Sequence, residues 1–169
     1  MEVMNAIKTR RSIRRYTEQK ISEEILHELL EAGFCAPSAM NYRPYHFVVV
    51  QENEQLQRVS ECSVYSKMIA SAACCIVVVA DTNKQKLKDL WINDCSASIQ
   101  NILLAAHSLD LGAVWCGVVE DRGIDRKLKE VLLLPDAIQP AGMISIGYPA
   151  ENREVTDRFE ESKVHYEKW

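Results

Sequence analysis

The run Cys74-Cys75-Ile76-Val77-Val78-Val79-Ala80 holds no polar residue and stops at Asp81. β-Branched side chains suit a pleated surface, so the run predicts a strand. A strand with one face in water would alternate apolar with polar residues, and this one does not. Neither does the shorter run Phe47-Val48-Val49-Val50. Two such strands require a sheet covered on both faces, with helices packed above and below it.

Helical patterns stand on either side of these runs. From Ser22, the positions Ile25, Leu26, Leu29 and Leu30 recur at helical spacing, and Glu23 and Glu24 occupy the first turn, where the helix dipole favours negative charge. This helix is expected to stop near Gly33, before a loop punctuated by Pro37, Ser38, Asn41 and Pro44. The longest pattern runs from Trp91 to Leu109 and is apolar or small around much of its circumference, as in a core helix or a subunit interface, with Asp110 and Gly112 as stop signals. There follow an apolar stretch from Ala113 to Val119, an amphipathic helix from Ile124 to Leu134 and a last strand from Met143 to Ile146.

The chain has 169 residues, 47% apolar and 26% charged, and neither a repeat nor a linker divides it. One domain over residues 1–169 is expected. A formal charge of −4 gives no general attraction to nucleic acid or anionic lipid. Met1 to Arg15 lacks the apolar run of a signal peptide, and no later apolar run is long enough to span a bilayer, so a cytoplasmic location is expected. Six cysteines lie scattered without a Cys-x-x-Cys pair, and four histidines stand far apart, so reduced core thiols are expected and no metal cluster is signalled.

The chemistry-bearing residues are few. Arg10, Arg11, Ser12, Arg14 and Arg15 crowd one turn after an amphipathic stretch containing Val3, Met4 and Ile7. Guanidinium groups so close repel one another unless an anion sits among them, and Arg forks with a Ser hydroxyl match phosphate oxygens. A solvated basic turn is the plainer reading of the same residues. The loop Ala36 to Pro44 joins small residues to one carboxamide, Asn41, which could pair with a heterocycle edge or simply belong to a connection. Cys116 beside Gly117 reads as a packed thiol, since reactivity needs an electropositive setting. No nucleophile, base and acid can be linked as a triad, and both the Walker and the Rossmann glycine patterns are absent. The tail beyond Pro149 has isolated apolar residues only, Val155, Phe159, Val164, Tyr166 and Trp169, and is either a disordered end or an arm that docks on another surface.

Taken in order, Arg10-Arg11-Ser12-Ile13-Arg14 with Tyr16, Ala36-Pro37-Ser38-Ala39 with Asn41 and Pro44, and Phe47 to Val50 resemble the opening of the nitroreductase family. The resemblance continues through Asp94, Gln100-Asn101, Leu111-Gly112 and Gly147-Tyr148-Pro149-Ala150-Glu151 to Asp157-Arg158-Phe159, His165 and Trp169. It implies an α+β, three-layer fold with a central mixed sheet flanked by helices and a C-terminal arm reaching the partner subunit. It also implies a homodimer with FMN at the subunit interface.

By position, the resemblance places Arg10, Arg11 and Ser12 at the ribityl phosphate and Arg14 near the pyrimidine side of the flavin, and leaves Arg15 without a role. Pro37, Ser38, Ala39 and Asn41 would come from the other subunit, and Trp115, Cys116 and Gly117 would run beside the central ring, with a backbone amide near Gly117 toward flavin N5. Arg158 would complete the phosphate site. Many relatives carry a second basic residue just before that arginine, where Thr156 and Asp157 stand here.

The implied activity is FMN-dependent reduction of nitroaromatic, quinone or related acceptors by NADH or NADPH, through ping-pong hydride transfer at flavin N5 and with no catalytic side chain. Other readings are a specialised flavin enzyme of the same fold, for dehalogenation or flavin fragmentation, a non-catalytic flavin-binding module, or an interaction protein whose arginines meet acidic side chains.

Overall fold

The computed structural model describes residues 1–84, 86–87, 89–118 and 122–169. In chain order the elements are α1 (Val3–Thr9), α2 (Glu23–Phe34), β1 (Tyr45–Val50), α3 (Asn53–Ser60), β2 (Cys74–Asp81), α4 (Leu90–Ser108), β3 (Gly112–Gly117), α5 (Ile124–Leu132) and β4 (Ile138–Gly147). The sheet order is β1-β2-β4-β3. Its named strands pair antiparallel throughout. The expected mixed character is confined to one parallel bridge, Ser12 to Ala113, at the β3 edge.

β2 is buried along both faces, as its unbroken apolar run requires. Cys74, Ile76, Val78 and Ala80 point into a core shared with Leu29 of α2 and Ile99 and Ile102 of α4. Cys75, Val77 and Val79 point the other way, into a core with Leu56 and Val59 of α3 and Leu128 of α5. Each fully buried aliphatic side chain contributes roughly 1.5–3 kcal/mol, so both layers carry weight.

Several boundaries differ from the sequence reading, each for a local reason. Ser22 caps α2 as expected, its hydroxyl accepting the Ile25 N–H. α2 ends at Phe34, near Gly33 as expected, and a Cβ on Gly33 would stand 2.8 Å from Phe47 and 2.9 Å from Ile102. Its smallness serves the approach of β1 and α4, not termination. α4 ends at Ser108, and Asp110, at φ 58°, turns the chain into β3, of which Gly112 is the first residue. α5 ends at Leu132 because Leu133 is left-handed, at φ 53°.

β4 starts five residues before Met143, at Ile138. The reading missed that part because it includes Pro140, which has no N–H for a ladder. Its register shifts there, Val78 facing Gly142 and Val79 facing Pro140, so the proline occupies an irregularity. The apolar stretch from Ala113 forms β3, while its end, Val119, lies outside the described residues. Among the described residues no helix is long and apolar enough to cross a membrane.

Candidate functional site

The arginine turn is fixed by its backbone. α1 gives way at Arg10 to extended chain. Ile13 N–H then donates to the Ala113 carbonyl at 3.1 Å. Ile13 is buried against Gly112, whose added Cβ would meet Ile13 Cγ2 at 2.6 Å. On its other side the segment is laced to the chain just beyond β4, with Thr17 N–H donating to Tyr148 O and Ala150 N–H to Arg15 O, both at 2.9 Å. The Tyr16 hydroxyl donates to Ile13 O at 2.7 Å, and its burial raises its pKa well above the ordinary value.

This frame gathers more cations than acids. A cavity of about 450 Å³ is lined by Arg11, Ser12, Arg14, Arg153, Glu154, Thr156 and Arg158. Burial, then the like charges of Arg158 and Arg11, lower the Arg10 pKa. Among the described residues, Arg10, Arg14 and Arg158 form no ion pair. Glu151 is occupied at both oxygens, accepting the Arg14 N–H at 2.6 Å and pairing with Arg153 at 2.9 Å. The Arg14 N–H, ahead of Arg153, holds its carboxyl below the ordinary value. The sequence reading missed Arg153, which no charge cluster marks.

Arg11 behaves differently from its neighbours. Its guanidinium donates to the carbonyls of Lys8 at 2.9 Å, Arg10 at 2.8 Å, Glu154 at 3.1 Å and Thr156 at 3.2 Å. Nearby, Thr9 donates its hydroxyl to Asn5 O and lies 2.8 Å from His107 Nε2 near the end of α4. Since that hydroxyl proton is already committed, the contact requires an Nε2–H on His107. Burial, followed by Arg10, lowers the His107 pKa.

The loop from Pro37 is shaped at the opposite end of α4. Asp94, 5% exposed, accepts the Ala39 N–H at 2.8 Å, and the Ser38 hydroxyl accepts the Arg43 N–H at 2.8 Å. Between them Met40, Asn41 and Arg43 have φ of 51°, 56° and 45°. Non-glycine residues in that region carry strain, and strained backbone concentrates where a ligand is met. Pro37, Met40 and Asn41 are exposed. Asp94 was noted in sequence only as part of a pattern; its task here is to hold this loop.

Along β3, Trp115 and Gly117 share one face and Cys116 takes the other. Trp115 is 38% exposed and lies over Gly142, where an added Cβ would collide with its indole nitrogen. A Cβ on Gly117 would meet nothing within 4 Å, so the backbone is open there. Cys116 is buried with its Sγ 3.6 Å from Tyr65 O, and burial pushes its thiol up to about 11. Its side chain therefore belongs to the core, and only its backbone can face a ligand.

One chain brings together Arg10, Arg11, Ser12, Arg14 and Arg158, but not the loop. The arginine turn adjoins β3 and the loop leads into β1, at opposite edges of the sheet. Three strand spacings separate those edges, about 14 Å. Asp94 and His107 stand thirteen residues apart on α4, which adds about 20 Å along the helix.

A two-layered helix cover over an antiparallel sheet, with an arginine turn at one edge and a tail returning to it, defines the class of the molecule. The model of the nitroreductase family matches residues 7–148, and the chain belongs to that family. It is 44% identical to a Methanothermobacter thermautotrophicus protein provisionally named NADH dehydrogenase/NAD(P)H nitroreductase, over 100% of this chain and 88% of the relative. An FMN-dependent nitroreductase from Clostridium difficile R20291 superposes with a TM-score of 0.91 at 31% identity, covering 98% of this chain and 99% of that one. A Desulfovibrio desulfuricans structure in complex with FMN gives 0.88 at 32% identity, covering 99% and 97%.

Proposed function

We propose that the chain is an NAD(P)H-dependent FMN oxidoreductase that works in the cytoplasm as a homodimer of single-domain subunits and reduces nitroaromatic, quinone or related acceptors. The observation that carries this reading is a cavity lined by Ser12, Arg14 and Arg158, with Arg10 beside Arg158 and no acid paired with Arg10, Arg14 or Arg158 among the described residues. Like charges held together gain from a dianionic phosphate what they lose to each other. The donor set fits FMN: Arg10, Ser12 and Arg158 would hold its phosphate, Arg14 would face the pyrimidine edge, and Trp115, Cys116 and the open Gly117 backbone would line the ring. When bound, FMN supplies the two-electron exchange between a nicotinamide and an acceptor.

The chain's own residues bind, orient and tune. A cation at Arg14 favours negative charge gathering on the pyrimidine edge, more strongly where water is displaced. Cys116 stays a neutral thiol at neutral pH and takes no proton. The separation of loop and arginine turn supports two subunits, with Pro37, Ser38, Ala39 and Asn41 supplied by the partner. Exposed Val3, Met4 and Ile7 on α1 and Ile92 on α4 offer apolar surface for the partner and for its C-terminal arm.

The test is direct. Purified protein loaded with FMN is mixed anaerobically with NADH or NADPH, and the flavin absorbance is followed. Bleaching by either, and its return on adding menadione, is the expected result; a spectrum unchanged by both nicotinamides would remove the reductase assignment.

A further inference from the structure

Residues 157–169 are exposed, and among the described residues their hydrogen bonds are local only: Phe159 N–H to Asp157, Lys163 N–H to Glu160 O, Val164 N–H to Glu161 O and Lys168 N–H to Tyr166 O. Their ion pair, Lys163 with Glu160, is local too. Arg158 nevertheless lines one cavity with Arg11, Ser12 and Arg14, and after burial its charge contributes most to lowering the Arg10 pKa. Two cations, one on an exposed tail and one on a turn fixed by its backbone, would move apart in water. Something holds the tail against that repulsion.

The last hydrogen bonds from the body to the tail before Arg158 come from Arg11, which reaches Glu154 O through Nε and Thr156 O through Nη2. Its Nη1 is spent on Lys8 O and Arg10 O, which fixes the guanidinium plane against the arginine turn itself. An arginine has five N–H donors, and four are committed to backbone carbonyls. Carbonyl oxygens accept without neutralising charge, so Arg11 can staple the tail and still leave the site positive. A lysine could not: its ammonium is a compact point charge without a planar fork.

We infer that Arg11 is a positioning residue that staples the tail in the same chain, so that Arg158 is held opposite Arg10 before a ligand arrives, and that it is not itself the phosphate-binding arginine. The inference rests on the flavin-phosphate reading for its consequence, but the staple exists without the cofactor. It divides the arginine cluster by task. Arg10 and Arg158 present charge, and Arg11 sets their geometry.

The experiment uses the full chain in two arms. In FMN-free protein, Arg11→Ala and Arg11→Lys are each expected to speed tryptic cleavage after Arg153 by about tenfold, because that peptide bond is protected only while Glu154 and Thr156 are stapled. In FMN titrations followed by flavin fluorescence, both variants should bind about tenfold more weakly, whereas Arg10→Lys should recover part of what Arg10→Ala loses. The double variant Arg11→Ala/Arg158→Ala should bind no more than about twofold more weakly than Arg158→Ala alone, since Arg11 acts through that residue.

Near-normal FMN affinity in Arg11→Lys, or losses that multiply in the double variant, would show an independent charge contact and overturn the inference. Unchanged cleavage in both Arg11 variants would overturn it as well. If wild-type protein binds no FMN, the cofactor reading fails, and the cleavage arm still decides on the staple.

Discussion

The two regions that would meet a flavin are built by opposite means. At the arginine turn, the backbone is extended and unstrained, and side chains do the holding: Arg11 grips carbonyls, Glu151 grips an N–H, and the remaining guanidinium groups are left over for a ligand. At the Pro37 to Arg43 loop, one buried carboxylate holds the backbone in a left-handed path and few side chains project with charge. The first region selects by charge and the second by shape. That division fits a ligand with an anionic end and a flat end.

The largest effect is expected on the charged side. Arg10→Ala/Arg158→Ala should weaken FMN binding by at least about a hundredfold, since a charge-assisted bond contributes roughly 1.5–3 kcal/mol, yet leave the melting temperature of FMN-free protein equal or higher because repulsion is relieved. A parallel loss of affinity and folding would mean that the arginines hold the fold. Fluorescence titration and calorimetry separate the two.

On the shaped side the order reverses. Asp94→Ala leaves the Ala39 N–H without its acceptor and should cost about 1–3 kcal/mol in urea unfolding, with FMN binding weakened as a consequence. Asp94→Asn keeps an oxygen in place and should recover most of that stability. If Asn is as damaging as Ala, the charge matters and the loop is not held by geometry alone.

The smallest effect concerns Glu151. Its folded pKa is depressed, so its contribution is present above the ordinary carboxylate value of 4.5 and is lost as pH falls below it through the lower folded value. Glu151→Gln should flatten that part of the stability profile slightly. A variant profile identical to wild type at acid pH would show that the Arg14 tie does not depend on the charge.

Sequence patterns disclosed most of the frame. Ser22 with the Leu29 periodicity gives α2, and the unbroken apolar run gives β2, because both depend on near neighbours and burial. α3 escaped notice because Leu56 and Val59 are its only buried apolar residues among Asn, Gln, Glu and Arg. The beginning of β4 was hidden by a proline that only pairing with Val79 makes tolerable. Within the site, the cluster itself was legible, but the special task of Arg11 was not, since its carbonyl partners Glu154 and Thr156 are 143 and 145 residues away. Arg153 was hidden for the same reason, appearing only when the tail folds back.

A flavin site that takes its arginines from one subunit and its loop from the other can be rebuilt from two defective chains. Subunits carrying Arg10→Ala/Arg158→Ala can be unfolded together with subunits carrying Ser38→Ala/Asn41→Ala, refolded as a mixture and titrated at an FMN concentration where neither variant alone binds. A shared site regenerates one intact cradle in each mixed dimer, so about a quarter of the sites should fill, half of the dimers being mixed and half of their sites intact. No recovery of binding in a mixture shown to contain mixed dimers would contradict a site built between two chains.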